Sequence, residues 1–101
     1  MSETDEEMIF GNLHIHPASR TVDVDGRKIT LTRMEFDVLC FLAANSNIAL
    51  TRDQIYETVN GDNYLGGSYV IRDIIYRLRT KLGIPYIQTL HGYGYKFSIE
   101  E

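Results

Sequence analysis

The sequence predicts an α+β domain in which a small N-terminal antiparallel sheet is followed by three helices and a C-terminal β-hairpin. Three observations carry this. Short alternating stretches separated by turn residues fill Met8 to Leu31. From Thr32 the apolar residues recur at helical spacing. From Ile87 alternation returns around a glycine-bearing tip, His91-Gly-Tyr-Gly94. At 101 residues the chain can bury one core but not two.

Met1 to Glu7 is polar and acidic with nothing to bury. It is expected to be a disordered tail or linker remnant, leaving residues 8–101 as the folded domain. Ile9-Phe10, Leu13-His-Ile-His16, Thr21-Val-Asp-Val24 and Arg27 to Leu31 follow as short strands, parted by Pro17 to Arg20 and by Asp25-Gly26. Asp-Gly between alternating runs signals a hairpin, because both residues tolerate positive φ. A meander of three or four strands is expected.

Thr32-Arg-Met-Glu35 forms a capping box, in which the threonine hydroxyl satisfies an exposed amide and the glutamate reaches back. Phe36, Leu39, Cys40 and Ala43 then continue a buried helix to about Asn45. After the short extended segment Ile48 to Leu50, Thr51-Arg-Asp-Gln54 is a second capping box, opening a short helix through Ile55, Tyr56 and Val59. Asn60 to Gly67 has three glycines in eight residues and is a loop by composition.

The third helix is predicted over 68–82. Ile71, Ile74, Ile75, Leu78 and Leu82 make its apolar stripe, and Arg72, Asp73, Tyr76, Arg79 and Thr80 lie opposite, with Tyr69 and Arg77 at the margins. Ser68 is the expected N-cap and Gly83 the left-handed terminator, with Pro85 preventing continuation. Tyr86 to Leu90 and Tyr95 to Ile99 close the chain as a hairpin. This order is a winged helix–turn–helix preceded by an extra sheet.

Net charge is −4, from ten Lys/Arg against fourteen Asp/Glu, but four of the acids lie in the first seven residues. From Gly67 to Ile99, Arg72, Arg77, Arg79, Lys81 and Lys96 face Asp73 alone. The face presented matters for phosphate binding more than the total. A helix that packs on one side and shows charge on the other, beside a projecting hairpin, suits double-stranded DNA. The helix would enter a major groove, and the hairpin would touch the adjacent minor groove or backbone.

Other classes are disfavoured. A single Cys40 excludes an internal disulfide, and no Cys/His spacing forms a zinc site. No apolar run spans a membrane and no signal peptide opens the chain. No cofactor is expected, no catalytic constellation is visible, and a reducing, cytoplasmic setting fits best. His14 and His16 share a strand face without a visible third ligand, and are expected to be a solvent-facing pair. Cys40, among Leu39, Phe41 and Leu42, reads as a buried small hydrophobe.

Four stretches resemble the OmpR/PhoB-type effector domains of bacterial response regulators. They are Leu31-Thr-Arg-Met-Glu-Phe-Asp-Val-Leu39, Leu50-Thr-Arg-Asp-Gln-Ile55, Ile71 to Gly83 ending in Arg77-Leu-Arg-Thr-Lys-Leu-Gly83, and Ile87-Gln-Thr-Leu-His-Gly-Tyr-Gly-Tyr-Lys-Phe97. The resemblance implies a four-stranded N-terminal sheet, three helices and a wing. It also implies head-to-tail protomers on direct repeats, monomeric without DNA. The loop between the second and third helices (Asn60, Gly61, Asp62, Asn63, Tyr64, Leu65 and Gly66) would be where members touch RNA polymerase.

Matching positions put Arg77 and Arg79 on phosphate or base edges and Thr89 at a backbone-contacting place at the wing base. His91 stands where many members insert an arginine into the minor groove. Arg72, Asp73 and Tyr76 would read base edges. Tyr69, Thr80, Gly92, Tyr93 and Lys96 complete the expected interface.

This chain departs from the family pattern at Tyr69, Asp73 and Tyr76, where many members carry Arg, an apolar residue and Arg. Asp73 would repel phosphate but can accept from a cytosine amino group. Tyr76 can stack on a sugar or donate to a phosphate. The receiver domain that usually precedes this module is not in the chain, which is expected to be either an excised domain or one working without phosphorylation. Two alternatives stay open. Arg79 can instead pair with an acid such as Glu35 or Asp37. The exposed tyrosines also suit a winged-helix module that binds a protein partner without DNA.

Overall fold

A computed structural model of the chain describes residues 7–60 and 67–99. The elements run β1 (Met8–Phe10), β2 (Leu13–His16), β3 (Thr21–Val24), β4 (Arg27–Ile29), α1 (Arg33–Ala44), β5 (Leu50–Thr51), α2 (Arg52–Val59), α3 (Val70–Leu82), β6 (Ile87–Leu90) and β7 (Gly94–Phe97). The first four strands form one antiparallel sheet in chain order, and the last three a second sheet ordered β5-β7-β6. The expected winged helix–turn–helix with a preceding four-stranded sheet is the architecture found.

In the first sheet, alternation puts Leu13, Ile15, Val22, Val24 and Ile29 inward, all buried. Register is held by the tight turn between β3 and β4, where Asp25 and Gly26 take φ of 55° and 78° and Val24 pairs with Arg27. On the outward face, His14 Nδ1 lies 2.7 Å from Glu7 Oε2, and His16 Nε2 lies 3.2 Å from Asp23 Oδ2. Among the described residues no group of three or more such side chains is placed to hold a metal ion.

Both capping boxes form as expected. Thr32 Oγ1 accepts from the Glu35 amide while Glu35 Oε1 accepts from the Thr32 amide, and Thr51 and Gln54 repeat the exchange at α2. The first helix has a wider buried face than its four predicted residues. Val38 and Leu42 are fully buried beside Phe36, Leu39 and Ala43, whereas Cys40 is only half-buried. The reason is tertiary: α1 packs against α2 and α3 and also meets β7, so more than one stripe is covered.

The start of α3 differs from expectation. The helix begins at Val70, and the cap position belongs to Tyr69, whose side chain makes no capping bond. The amides of Val70, Ile71 and Arg72 instead donate to the carbonyls of Gly67, Ser68 and Tyr69 in a tight turn, so no Ser68 hydroxyl is required. Its end is as expected, with Gly83 left-handed at φ 69°.

The two sheets meet through aromatic rings. Fully buried Phe97 packs edge-on against Phe10 of β1 and against Tyr86, with ring centroids 4.8 and 6.0 Å away. Tyr86 also donates its hydroxyl to Asn12 Oδ1 at 3.0 Å. The wing is thereby fastened to the N-terminal sheet at its base, and its tip is left projecting.

Candidate nucleic-acid interface

The apolar stripe Ile71, Ile74, Ile75, Leu78 and Leu82 is wholly buried, which fixes the rotation of α3 and turns its other face outward. On that face Tyr69, Arg72, Asp73, Tyr76, Arg77 and Thr80 are all exposed. Tyr69 and Tyr76 keep 67% and 71% of their surface, far more than packing tyrosines would. Among the described residues no carboxylate pairs with Arg72 or Arg77, and no cation pairs with Asp73. The Thr80 hydroxyl donates to the Tyr76 carbonyl at 3.0 Å, leaving its lone pairs outward.

Arg79 occupies the edge of this face and also bonds within the protein. Its Nε and Nη2 donate to the Ile87 carbonyl at 3.1 and 2.8 Å, and Nη2 also donates to Thr89 Oγ1 at 2.7 Å. The guanidinium stands 6.0 Å from the Tyr95 ring centroid. The pairing of Arg79 with Glu35 or Asp37 is not formed: Lys81 takes Glu35 and Arg20 takes Asp37. Arg79 therefore braces the wing base against the helix. Because Thr89 Oγ1 accepts from it, the one hydroxyl proton of Thr89 is free to point outward.

Lys81 is likewise committed inward. Its Nζ donates to Glu35 Oε1 at 2.7 Å, and Glu35 has no exposed surface. Burial alone would raise the Glu35 pKa. The hydrogen bonds from Lys81 and from the Thr32 amide, with the charges of Lys81 and Arg77, outweigh burial and hold the carboxyl below its ordinary value. The five cations counted between Gly67 and Ile99 therefore divide. Lys81 is paired with Glu35, and Arg79 fastens the wing with Nε and Nη2 while keeping its charge. Arg72, Arg77 and half-buried Lys96 have no ion-pair partner among the described residues.

In the wing, Leu90 pairs with Gly94, so His91, Gly92 and Tyr93 form the tip, and all three are exposed. Tyr95 and Phe97 point into the core, whereas Tyr93 lies in the turn before β7, outside the strand's alternation, and keeps 52% of its surface. Gly94 is required for a reason the sequence hides. A Cβ there would strike the Leu50 carbonyl and lie 2.8 Å from Thr51 Cα, because β5 crosses directly against it.

A cleft of about 370 Å³ opens between the wing and the start of α2, lined among others by Thr51, Arg52, Thr89 and Tyr93. Arg52 is the residue sequence reasoning missed. Its signal was the second capping box, which puts Arg52 in the first turn of α2, where a helix N-terminus, this cation and the acid Asp53 face the same cleft. Of the loop expected to touch polymerase, Asn60 is the half-buried C-cap of α2, and Gly61, Asp62, Asn63, Tyr64, Leu65 and Gly66 lie outside the described residues.

Known proteins share this arrangement. Transcriptional regulatory protein VxrB of Vibrio cholerae is 40% identical over 94 residues, a match covering 93% of this chain and 38% of VxrB. The DNA-binding domain of Klebsiella pneumoniae RstA, solved in complex with an RstA box, superposes with a TM-score of 0.81 at 31% identity, over 92% of this chain and 97% of that one. Response regulator DrrB of Thermotoga maritima, an OmpR/PhoB homologue, gives a TM-score of 0.81 at 33% identity, over 91% of this chain and 44% of DrrB. The chain thus spans about two fifths of the length of the curated relatives it matches, from 37% to 43%. Residues 26–97 match the family model described as transcriptional regulatory protein, C terminal, a family of regulators rather than of enzymes. The chain belongs to this family, the OmpR/PhoB-type C-terminal effector domains of response regulators.

Proposed function

We propose that this chain is a sequence-specific double-stranded DNA-binding output domain of a bacterial transcriptional regulator, with α3 in the major groove and the wing tip at the adjacent minor groove. One observation carries the reading. The outward face of α3 presents exposed Arg72, Asp73, Tyr76 and Arg77 beside a hairpin that Arg79 locks to the same helix. A rigid helix–hairpin pair of this kind spans two neighbouring grooves. Arg72, Asp73 and Tyr76 face base edges, and Arg77, Arg79, Lys96, Thr89 and Arg52 meet phosphates. His91, Gly92 and Tyr93 reach the minor groove.

The partners belong to the same proposal. Protomers bind head-to-tail on direct repeats and are monomeric without DNA, the segment 60–66 meets RNA polymerase, and the protein works in the cytoplasm without catalysis. A second reading, docking of a protein partner, draws on the exposure of Tyr69, Tyr76 and Tyr93. Selection of bound duplexes from a random pool, at roughly 50 and 150 mM salt, decides between them. A recovered half-site, repeated in direct orientation, supports the proposal. Absence of duplex binding at both salts refutes it and favours the protein-docking reading.

A further inference from the structure

Asp73 is the anomaly of the interface. It is an acid in the middle of the face that would meet a polyanion, and three structural roles that would account for it are unfilled. It is exposed, so it supports no core. No cation among the described residues pairs with it, including Arg77 one turn further on. It also does not cap the helix, because the amides of Val70, Ile71 and Arg72 already donate to the carbonyls of Gly67, Ser68 and Tyr69. What remains is a carboxylate in the first turn of α3, where the helix dipole favours it modestly but holds it in no fixed contact, beside Arg72 and one turn from Tyr69, Tyr76 and Arg77.

We propose that Asp73 is a specificity-determining residue, selecting a cytosine in the major groove and penalising every other base at that position. The inference rests on the DNA-binding reading. Its chemistry follows from what the groove offers. A carboxylate only accepts hydrogen bonds, and the two major-groove donors are the amino groups of cytosine and adenine. Guanine presents two acceptors and thymine an acceptor and a methyl group, so both oppose the charge. Adenine's amino group sits beside the N7 acceptor on the same base, which repels the second carboxylate oxygen. The cytosine amino group has only the C5–H edge beside it on its own base.

The local charge makes the selection sharper. Lys81 is charge-paired with Glu35, and Arg79 keeps its charge but spends its Nε and Nη2 donors on the wing. The exposed cations on this helix face are therefore Arg72 and Arg77, with Asp73 between them. The carboxylate weakens attraction to phosphates of any sequence. That loss is offset only where a cytosine amino group donates to it, so wrong sites are disfavoured more than the right one is favoured.

The test is pool selection followed by titration of the recovered duplex and a scrambled one, using the wild type, Asp73→Ala and Asp73→Asn. The wild type should recover a position that is cytosine, with a preference of roughly 5–10-fold over other bases. Asp73→Ala should lose that preference and bind scrambled duplex about 3-fold more tightly. Asp73→Asn should move the same position to adenine, whose N6 and N7 match an amide. All three should melt within a few degrees of one another, since the residue is exposed. If both variants recover the wild-type motif unchanged, the assignment to Asp73 is overturned while DNA binding stands. If the wild type retains no duplex at either salt, the DNA reading fails and this inference with it.

Discussion

Replacing Lys81 by methionine isolates what holds the recognition helix to the first helix. The lysine stem is matched in length, so packing is largely kept, but the Glu35 carboxylate loses its only side-chain donor among the described residues. It stays fully buried with a single hydrogen bond from the Thr32 amide, and its Oε2 has no partner among the described residues. Breaking a fully buried ion pair costs about 3–5 kcal/mol. The Lys81 side chain keeps 35% of its surface, and solvent screens the pair to that extent, which lowers the expected loss to about 2 kcal/mol. For a domain of this size that is a fall of roughly 8–16 °C in the thermal midpoint.

The same substitution should weaken or reverse a pH dependence. In the wild type the Glu35 pKa is depressed, so its contribution is present above the unfolded value and lost as pH falls through the folded one. Without Lys81, only the Thr32 amide and the Arg77 charge oppose burial, so the folded pKa moves up towards or past the unfolded one. The carboxylate then contributes less at neutral pH than in the wild type, so the gap between variant and wild type should narrow as pH falls from 7 to 4. Far-UV circular dichroism in urea at both pH values measures it, since the chain has no tryptophan. Adding Glu35→Gln to Lys81→Met should restore much of the loss, because no buried charge is left unpaired. A loss below about 0.5 kcal/mol, or a gap independent of pH, would refute the reasoning.

Three further outcomes are expected. Gly94→Ala forces a methyl group into the β5 backbone and should cost about 3 kcal/mol in urea unfolding; a cost under about 1 kcal/mol would mean β5 can move aside. Arg79→Ala removes the bonds to Ile87 and Thr89, and should cost about 1–2 kcal/mol and speed amide exchange in the wing, whereas Arg77→Ala removes only a minor charge near Glu35, should cost under about 0.5 kcal/mol, and should lower the salt slope of DNA binding by about one. Burial pushes the Cys40 thiol up to about 11, so at pH 8 roughly one molecule in a thousand carries the thiolate. A disulfide reagent should hardly modify it there and should react steeply faster above pH 10; rapid labelling at pH 8 would contradict the burial.

What the sequence made legible was local. The two threonine capping boxes, the Asp25-Gly26 turn and the stripe from Ile71 to Leu82 each depend on residues within one or two turns, and each formed as expected. What stayed hidden depended on distant partners. Glu35 is fully recognisable as a capping residue, but its second partner lies 46 residues away on another helix. The bracing bonds of Arg79 were hidden because helical spacing records the side of the helix, not the carbonyl of Ile87 waiting at its edge. Gly94 looked like a turn glycine because nothing near it in the chain reports the passage of β5. Ser68 looked like a cap because a serine before a helix usually is one, and here the backbone satisfied itself.

These hidden interactions explain how an unusual reading face can be carried without loss of fold. The recognition helix is held on three sides by groups that do not face outward. Its stripe is buried in the core, Arg79 ties its flank to the wing, and Lys81 ties its last turn to Glu35. Positions 69, 72, 73, 76 and 77 contribute little to that restraint, since all are exposed and none has an ion-pair partner among the described residues. Changes there alter what the helix meets while leaving where it sits, because surface substitutions away from buried networks cost within about 0.5 kcal/mol. A carboxylate and two tyrosines can therefore stand on this face at no cost to folding. On the proposed reading their cost falls on binding, where an acid beside few unpaired cations would make the domain depend on matching bases more than on phosphate attraction.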